Sequence, residues 1–267
     1  MKLSAIRQIR NRWALVALVI AAQLLTIYAI SWLPLSFQES DGNLPVYEYR
    51  LLNMALSLLL IWVFVPEAFK FFRLRLGGYP PIFTFALFGA LVFGSLLYGW
   101  FQEFPLLVSL EAIVFSLFIG LDEEFFGRVF AFGLLQRAGT EFAMAVSAVV
   151  FGLAHLTNYY YGNESVSYVV GHVIEAAGYG YLMATVLVIT GNVWVPVMIH
   201  GLSDLKWVTM DMGDYNAIVT GQTNWFATIV VTATFISFSR LMLAMHQERL
   251  RFPQSWQGAL RWLGLVE

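Results

Sequence analysis

The stretch Gly120–Leu135, GLDEEFFGRVFAFGLL, sets Asp122, Glu123, Glu124 and Arg128 inside an otherwise apolar run. Ionisable side chains in hydrocarbon cost roughly 2.5–3.5 kcal/mol each even on the lenient insertion scale. Such a group must neutralise itself or serve a reaction. Glu124 and Arg128 stand four residues apart, so they share a helix face and can pair. Glu123 points about 100° away from Glu124 on a helix of 3.6 residues per turn. One carboxylate is thus neutralised and one is left over. The plainer alternative is a structural salt bridge with a spare acid protonated in lipid. Asp122 receives no role from the spacing.

Two histidines stand on later apolar segments. His155 follows Phe151 by one turn and precedes Thr157 and Asn158, and His200 precedes Asp204 by one turn, so both of the latter project from one face. A lone buried histidine is more often a satisfied core residue than a catalyst, but two on different helices weaken that reading. His172 and Glu175, spaced i, i+3, are expected either to pair with each other or, with Asn158, to flank the site or contact substrate. Glu67 and Glu111 have no motif around them. Gly171, Gly178 and Gly180 are expected to permit close helix packing.

The elements that carry these residues are read as membrane helices. Hydrophobic residues make up 59% of the 267-residue chain and charged residues 12%, with a mean hydropathy of +0.71. Soluble chains carry about 25% charge. A net charge of −2 and the absence of a dense basic cluster leave no footprint for nucleic acid. With no cysteine there is no thiolate nucleophile, disulfide or cysteine metal site. Apolar runs of about 20 residues cross a bilayer. They predict an all-α polytopic bundle, one integral-membrane domain over 1–267, with eight spans near 13–33, 50–69, 80–101, 105–137, 141–160, 167–190, 192–210 and 224–246. The first is read as a retained helix, because a signal peptide has a shorter apolar region of about 7–15 residues. No internal repeat is found.

With the N-terminus inside, the inner segments hold Lys2, Arg7, Arg10, Arg12, Lys70, Arg73, Arg75, Arg137, Arg249, Arg251 and Arg261, and the outer segments only Arg50 and Lys206. This excess predicts that both termini are cytoplasmic. The loops SFQESDGN (36–43) and DMGDYN (211–216) fall outside, and the tail after Pro253 fits a short interfacial amphipathic helix. Glu123 and His155 each lie about 15 residues from the turn at 138–140, which is ~22 Å at the helical rise. From the turn at 191–192, His200 is ~12 Å and Asp204 ~18 Å away by the same rise. Four side chains from three helices can therefore meet in one layer, nearer the outer face.

The segments EEFFGR (123–128), FGLAH (151–155) and HGLSD (200–204) resemble the EExxxR, FxxxH and HxxxN/D motifs of the CPBP family, the CAAX proteases and bacteriocin-processing enzymes that are glutamic intramembrane proteases. The likeness covers about 105–210, the motif-bearing core helices. It implies a peptide hydrolase with no metal or other cofactor. Glu123 would activate a water, His155 would help hold it, His200 and residue 204 would stabilise the oxyanion, and Glu124 with Arg128 would support them. Position 204 is aspartate where the family often has asparagine, and an ionised Asp204 would repel an oxyanion. Asp204 is therefore expected to orient His200 and favour its protonated form.

Three other readings stand beside this one. The set Glu123, His155, His200 and Asp204 is chemically adequate for zinc, although no HExxH occurs; activity that survives exhaustive chelation separates the two. A non-catalytic immunity or scaffold protein would keep the fold without the intact motif set. A transporter could relay protons through buried Glu and His, but inverted repeats are common there. The expected partners are the bilayer and a membrane-bound or exported protein or peptide. The expected location is a prokaryotic cytoplasmic membrane.

Overall fold

A computed structural model describes residues 9–31, 47–73, 106–161, 164–209 and 212–247. Among these residues the chain is helical and contains no strand. The helices are α1 (Arg12–Ser31), α2 (Tyr47–Phe64), α3 (Leu106–Glu124), α4 (Thr140–Ala154), α5 (Thr157–Tyr161), α6 (Val166–Thr190), α7 (Trp194–Thr209), α8 (Met212–Thr220) and α9 (Trp225–His246). The expected span 80–101, the loop 36–43, Asp211 and the tail after Pro253 lie outside the described residues.

Three described stretches are long and apolar enough to cross a membrane: Thr140–Tyr159, Val166–Thr190 and Trp225–His246. Shorter apolar helical runs cover Arg12–Ile27 and Arg50–Phe64. Large apolar side chains on the outer faces of these elements stay exposed, among them Trp62, Val149, Leu153, Phe226 and Ile229. Such a belt is what lipid would cover.

The single long helix expected over 105–137 is not what forms. After Glu124 the backbone widens into a π-helical stretch, Phe125–Phe132, then passes through a short α turn and a 3₁₀ turn at Gln136–Ala138. Long π stretches are rare and concentrate at functional sites. Here the stretch is embedded in the main core, where Phe130, Phe132, Leu134 and Leu135 pack with Leu15, Ile61 and Met144. The span expected over 141–160 corresponds to Thr140–Tyr159, within which α4 ends at Ala154 and His155–Leu156 form a turn before α5. Chain reversals come at Gly139 (φ 117°) and Gly191 (φ 60°), left-handed positions that suit glycine.

Two contacts fix the helices that carry the site. α7 packs along α3 with backbones almost touching: a Cβ on Gly120 would lie 2.7 Å from the Val197 carbonyl oxygen, and one on Gly201 would lie 2.8 Å from Leu117 Cα. α6 is flanked by α4 and α9, and Gly152 on α4 allows the same intimacy with Val173. Small residues permit such approach in membrane bundles. Gly171, Gly178 and Gly180 face Thr223, Thr232 and Phe151 at distances a side chain would violate or crowd, in line with the packing role expected for them. The start of α7 is tied to the 3₁₀ turn after α2: Val193 N–H donates to the Phe71 carbonyl and Trp194 Nε1 to that of Phe72, each at 2.9 Å.

Candidate active site

Consecutive carboxylates at the end of α3 face different surroundings. Glu124 is fully buried, and its Oε2 lies 3.0 Å from Nε of the equally buried Arg128. The contact is ionic, without the alignment of a hydrogen bond, and the Arg128 guanidinium lies over the Phe151 ring, 4.4 Å from its centroid. The other oxygen of Glu124 accepts from His200 Nδ1 at 2.7 Å. Glu124 therefore does more than neutralise arginine. It links α3 to α7 and sets the orientation of His200, the role expected of Asp204. Asp204 Oδ2 is 3.5 Å from the opposite nitrogen, Nε2, so it faces the working side of the ring rather than holding its back.

Glu123 keeps 23% of its side chain exposed and is not the unpaired group that helix geometry alone suggested. Its Oε1 accepts from Arg50 Nη1 at 3.2 Å, and its Oε2 is 3.6 Å from His200 Nε2. The same Arg50 nitrogen reaches Asp122 Oδ2 at 2.9 Å, and Asn53 Nδ2 donates to that oxygen at 3.3 Å. Asp122, left without a role by its spacing, thus anchors the arginine that holds Glu123. Arg50 and Asn53 come from α2, some 70 residues upstream, and no local pattern marks them.

His155 closes the other wall. Its Nδ1 is 2.9 Å from the Phe151 carbonyl oxygen. A carbonyl only accepts, so Nδ1 carries a proton and Nε2 of the neutral ring is left as an acceptor. The Phe151 ring stands edge-on to both His155 and His200, at 5.0 and 5.8 Å between centroids, so the motif phenylalanine separates and orients the two histidines. Tyr179 abuts His200 at 5.2 Å and shares a hydrogen bond with Ser203 Oγ.

A cavity of about 850 Å³ is lined by Glu123, His155, His200 and Asp204. His172, Glu175 and Asn158 line it too. The alternative in which His172 and Glu175 pair with each other is replaced by other partners. Glu175 accepts from Thr228 Oγ1 on α9 at 2.6 Å, and His172 stacks against His155 with centroids 4.7 Å apart. At the rim, Tyr215 donates to Glu164 at 3.0 Å. Burial pushes the Glu164 carboxyl up; burial, and then the adjacent Glu164, hold the Tyr215 phenol up at about 12. Glu67, without a motif, pairs with Arg137 at 2.9 Å far from this wall, and Glu111 is exposed on α3. Among the described residues no group of three or more His, Asp or Glu is arranged to hold a metal ion.

Glu123, the free ring nitrogen of His155 and Nε2 of His200 are groups able to accept or exchange a proton around this cavity. That is the equipment of acyl-group hydrolysis. Residues 105–205 match the family model described as type II CAAX prenyl endopeptidase Rce1-like. No curated protein and no solved structure matches the chain.

Proposed function

We propose, from that match over residues 105–205 and from the helices long and apolar enough to cross a membrane, that the chain is an intramembrane endopeptidase of glutamic type. The observation that carries the proposal is the division between Glu123 and Glu124. Glu124 is engaged by Arg128 and His200, whereas Glu123 lines a cavity that His155 and His200 also line. In the proposed reaction Glu123 takes a proton from a water whose second hydrogen is accepted by His155 Nε2. The water oxygen bonds to the scissile carbonyl carbon, and the carbonyl oxygen becomes an oxyanion. His200, with Nδ1–H given to Glu124, donates from Nε2 to that oxyanion when both nitrogens are protonated. Collapse breaks the C–N bond, and the proton held by Glu123 passes to the leaving amine. Donors aimed at developing charge in a water-poor site carry much of such catalysis. Asp204, beside Nε2, favours the doubly protonated ring. The zinc alternative has the same residues as ligands and is separated by chelation.

The chain is proposed to cross a cytoplasmic membrane eight times with both termini inside. The basic residues of its inner segments support this, and the reacting layer then lies nearer the outer face. A membrane-anchored or exported peptide suits that location. Comparative proteomics of membrane and exported peptides, wild type against Glu123→Ala, tests the reading: the expected result is a substrate that persists uncut in the variant. An unchanged peptide inventory sinks it. Substrates ending in a prenylated cytoplasmic tail would instead reverse the assigned orientation.

A further inference from the structure

Glu123 lies between two cavities of different character. Besides the 850 Å³ cavity, a second of about 150 Å³ opens between α1, α2 and the end of α3. Arg50, Glu123, Phe151, His155 and Asn158 line both, so the proposed base and its histidine partner border both cavities. The large cavity offers aromatic and apolar walls, including Tyr168, Trp207, Val231 and Phe235, surfaces suited to peptide side chains. The small one is lined by Gln23, Thr26, Asn53 and Ser57.

Those four residues are out of place for a lipid-exposed bundle. Thr26 and Ser57 are almost wholly buried. Thr26 donates to the Gln23 carbonyl at 2.8 Å, which leaves its oxygen free to accept. Asn53 gives its amide hydrogen to Asp122, while its Oδ1 is buried with no partner among the described residues. A polar cavity with roughly 10–15 Å³ of this kind of space holds one water when two to four polar groups line it. At about 150 Å³ the chamber has room for several waters and none for a folded peptide segment.

We infer that this chamber, walled by Gln23, Thr26, Asn53 and Ser57, is a water reservoir that feeds Glu123 from the side opposite the substrate cavity. It deepens the protease reading and rests on it for the use made of the water. A hydrolase inside a bilayer needs one water per bond cut at a site that substrate itself plugs. A supply behind the base lets water and peptide arrive by separate routes. Asn53 braces Asp122, and through it Arg50, at the edge of this chamber.

Two measurements on the full-length protein in liposomes test this. The chain has no cysteine, so single cysteines report cleanly. Ser57→Cys, which lines the chamber, is expected to react with 2-aminoethyl methanethiosulfonate roughly tenfold or more faster than Ile61→Cys, a fully buried core position one turn along α2, because the reagent attacks thiolates that water reaches. Equal rates overturn the chamber. Ser57→Leu and Thr26→Met, which fill it, are expected to lower kcat and leave KM unchanged on the peptide identified by proteomics, while Leu60→Met alters neither. A rise in KM with kcat intact would make the pocket part of the substrate site and overturn the inference. The labelling needs no turnover: fast labelling of Ser57→Cys alongside full cleavage by Glu123→Gln sinks the protease mechanism and spares the chamber. Slow labelling with cleavage abolished does the reverse.

Discussion

Glu123 and Glu124 are neighbours in the chain and opposites in environment. Glu124, Arg128 and the back of His200 form a dry chain, with both side chains of the salt bridge wholly buried. Glu123, Asp122 and Arg50 form a second set in which Arg50 and Glu123 keep about a fifth of their side-chain surface accessible, at 21% and 23%. The dry set has no room to exchange partners, and removing one member strands a charge. The wet set can trade a hydrogen bond for a water or a substrate atom. Structure and chemistry are thus divided between adjacent residues.

The sharpest break of this comparison is Glu123→Gln. Loss of a positioned general base is expected to lower turnover by roughly 10²–10⁴-fold with little change in thermal unfolding. Comparable turnover would put the base elsewhere. Arg128→Met is expected to act in the opposite sense, on the fold: stranding the buried Glu124 costs about 3–5 kcal/mol, read as a lower unfolding midpoint in detergent. Adding Glu124→Gln to it should recover part of the loss, because the stranded charge is gone. No recovery would mean that the stranded charge is not the source of the loss. The smallest effect is expected from Asp204→Asn. The carboxylate 3.5 Å from His200 Nε2 becomes a neutral amide, and activity should fall about tenfold, near 1.4 kcal/mol in barrier height, with a shifted pH profile. Full activity with an unchanged profile would show that Asp204 has no part in holding charge on His200.

What the sequence revealed followed how local each feature is. The Glu124–Arg128 pair needs only helical spacing, and the turns at Gly139 and Gly191 needed only glycine near a break in hydrophobicity. The meeting of Glu123, His155 and His200 was legible because short hairpins convert residue counts into depth. Arg50 was not legible: its partners are 72 and 73 residues away, and an arginine near a helix end reads as an ordinary loop charge. Nor was the π-helical stretch, since FFGRVFAF is as apolar as any buried α-helix and the difference lies in backbone hydrogen bonding. Glu124 was underread for a related reason. A partner found at i, i+4 satisfied one of its oxygens on paper, and nothing local said that the other reaches His200.

The contact between Gly120 and Gly201 carries a consequence of its own. Neither residue has a side chain to offer a substrate, yet they sit four residues before Glu124 and one after His200, where two backbones meet without a spacer. They act as a gauge for the distance across which the dry chain must close. A methyl group at either position would wedge α3 from α7 and stretch the 2.7 Å bond that aims His200. The aim of His200, the proposed oxyanion donor, is thus set by the thinness of two glycines as much as by the groups that touch its ring.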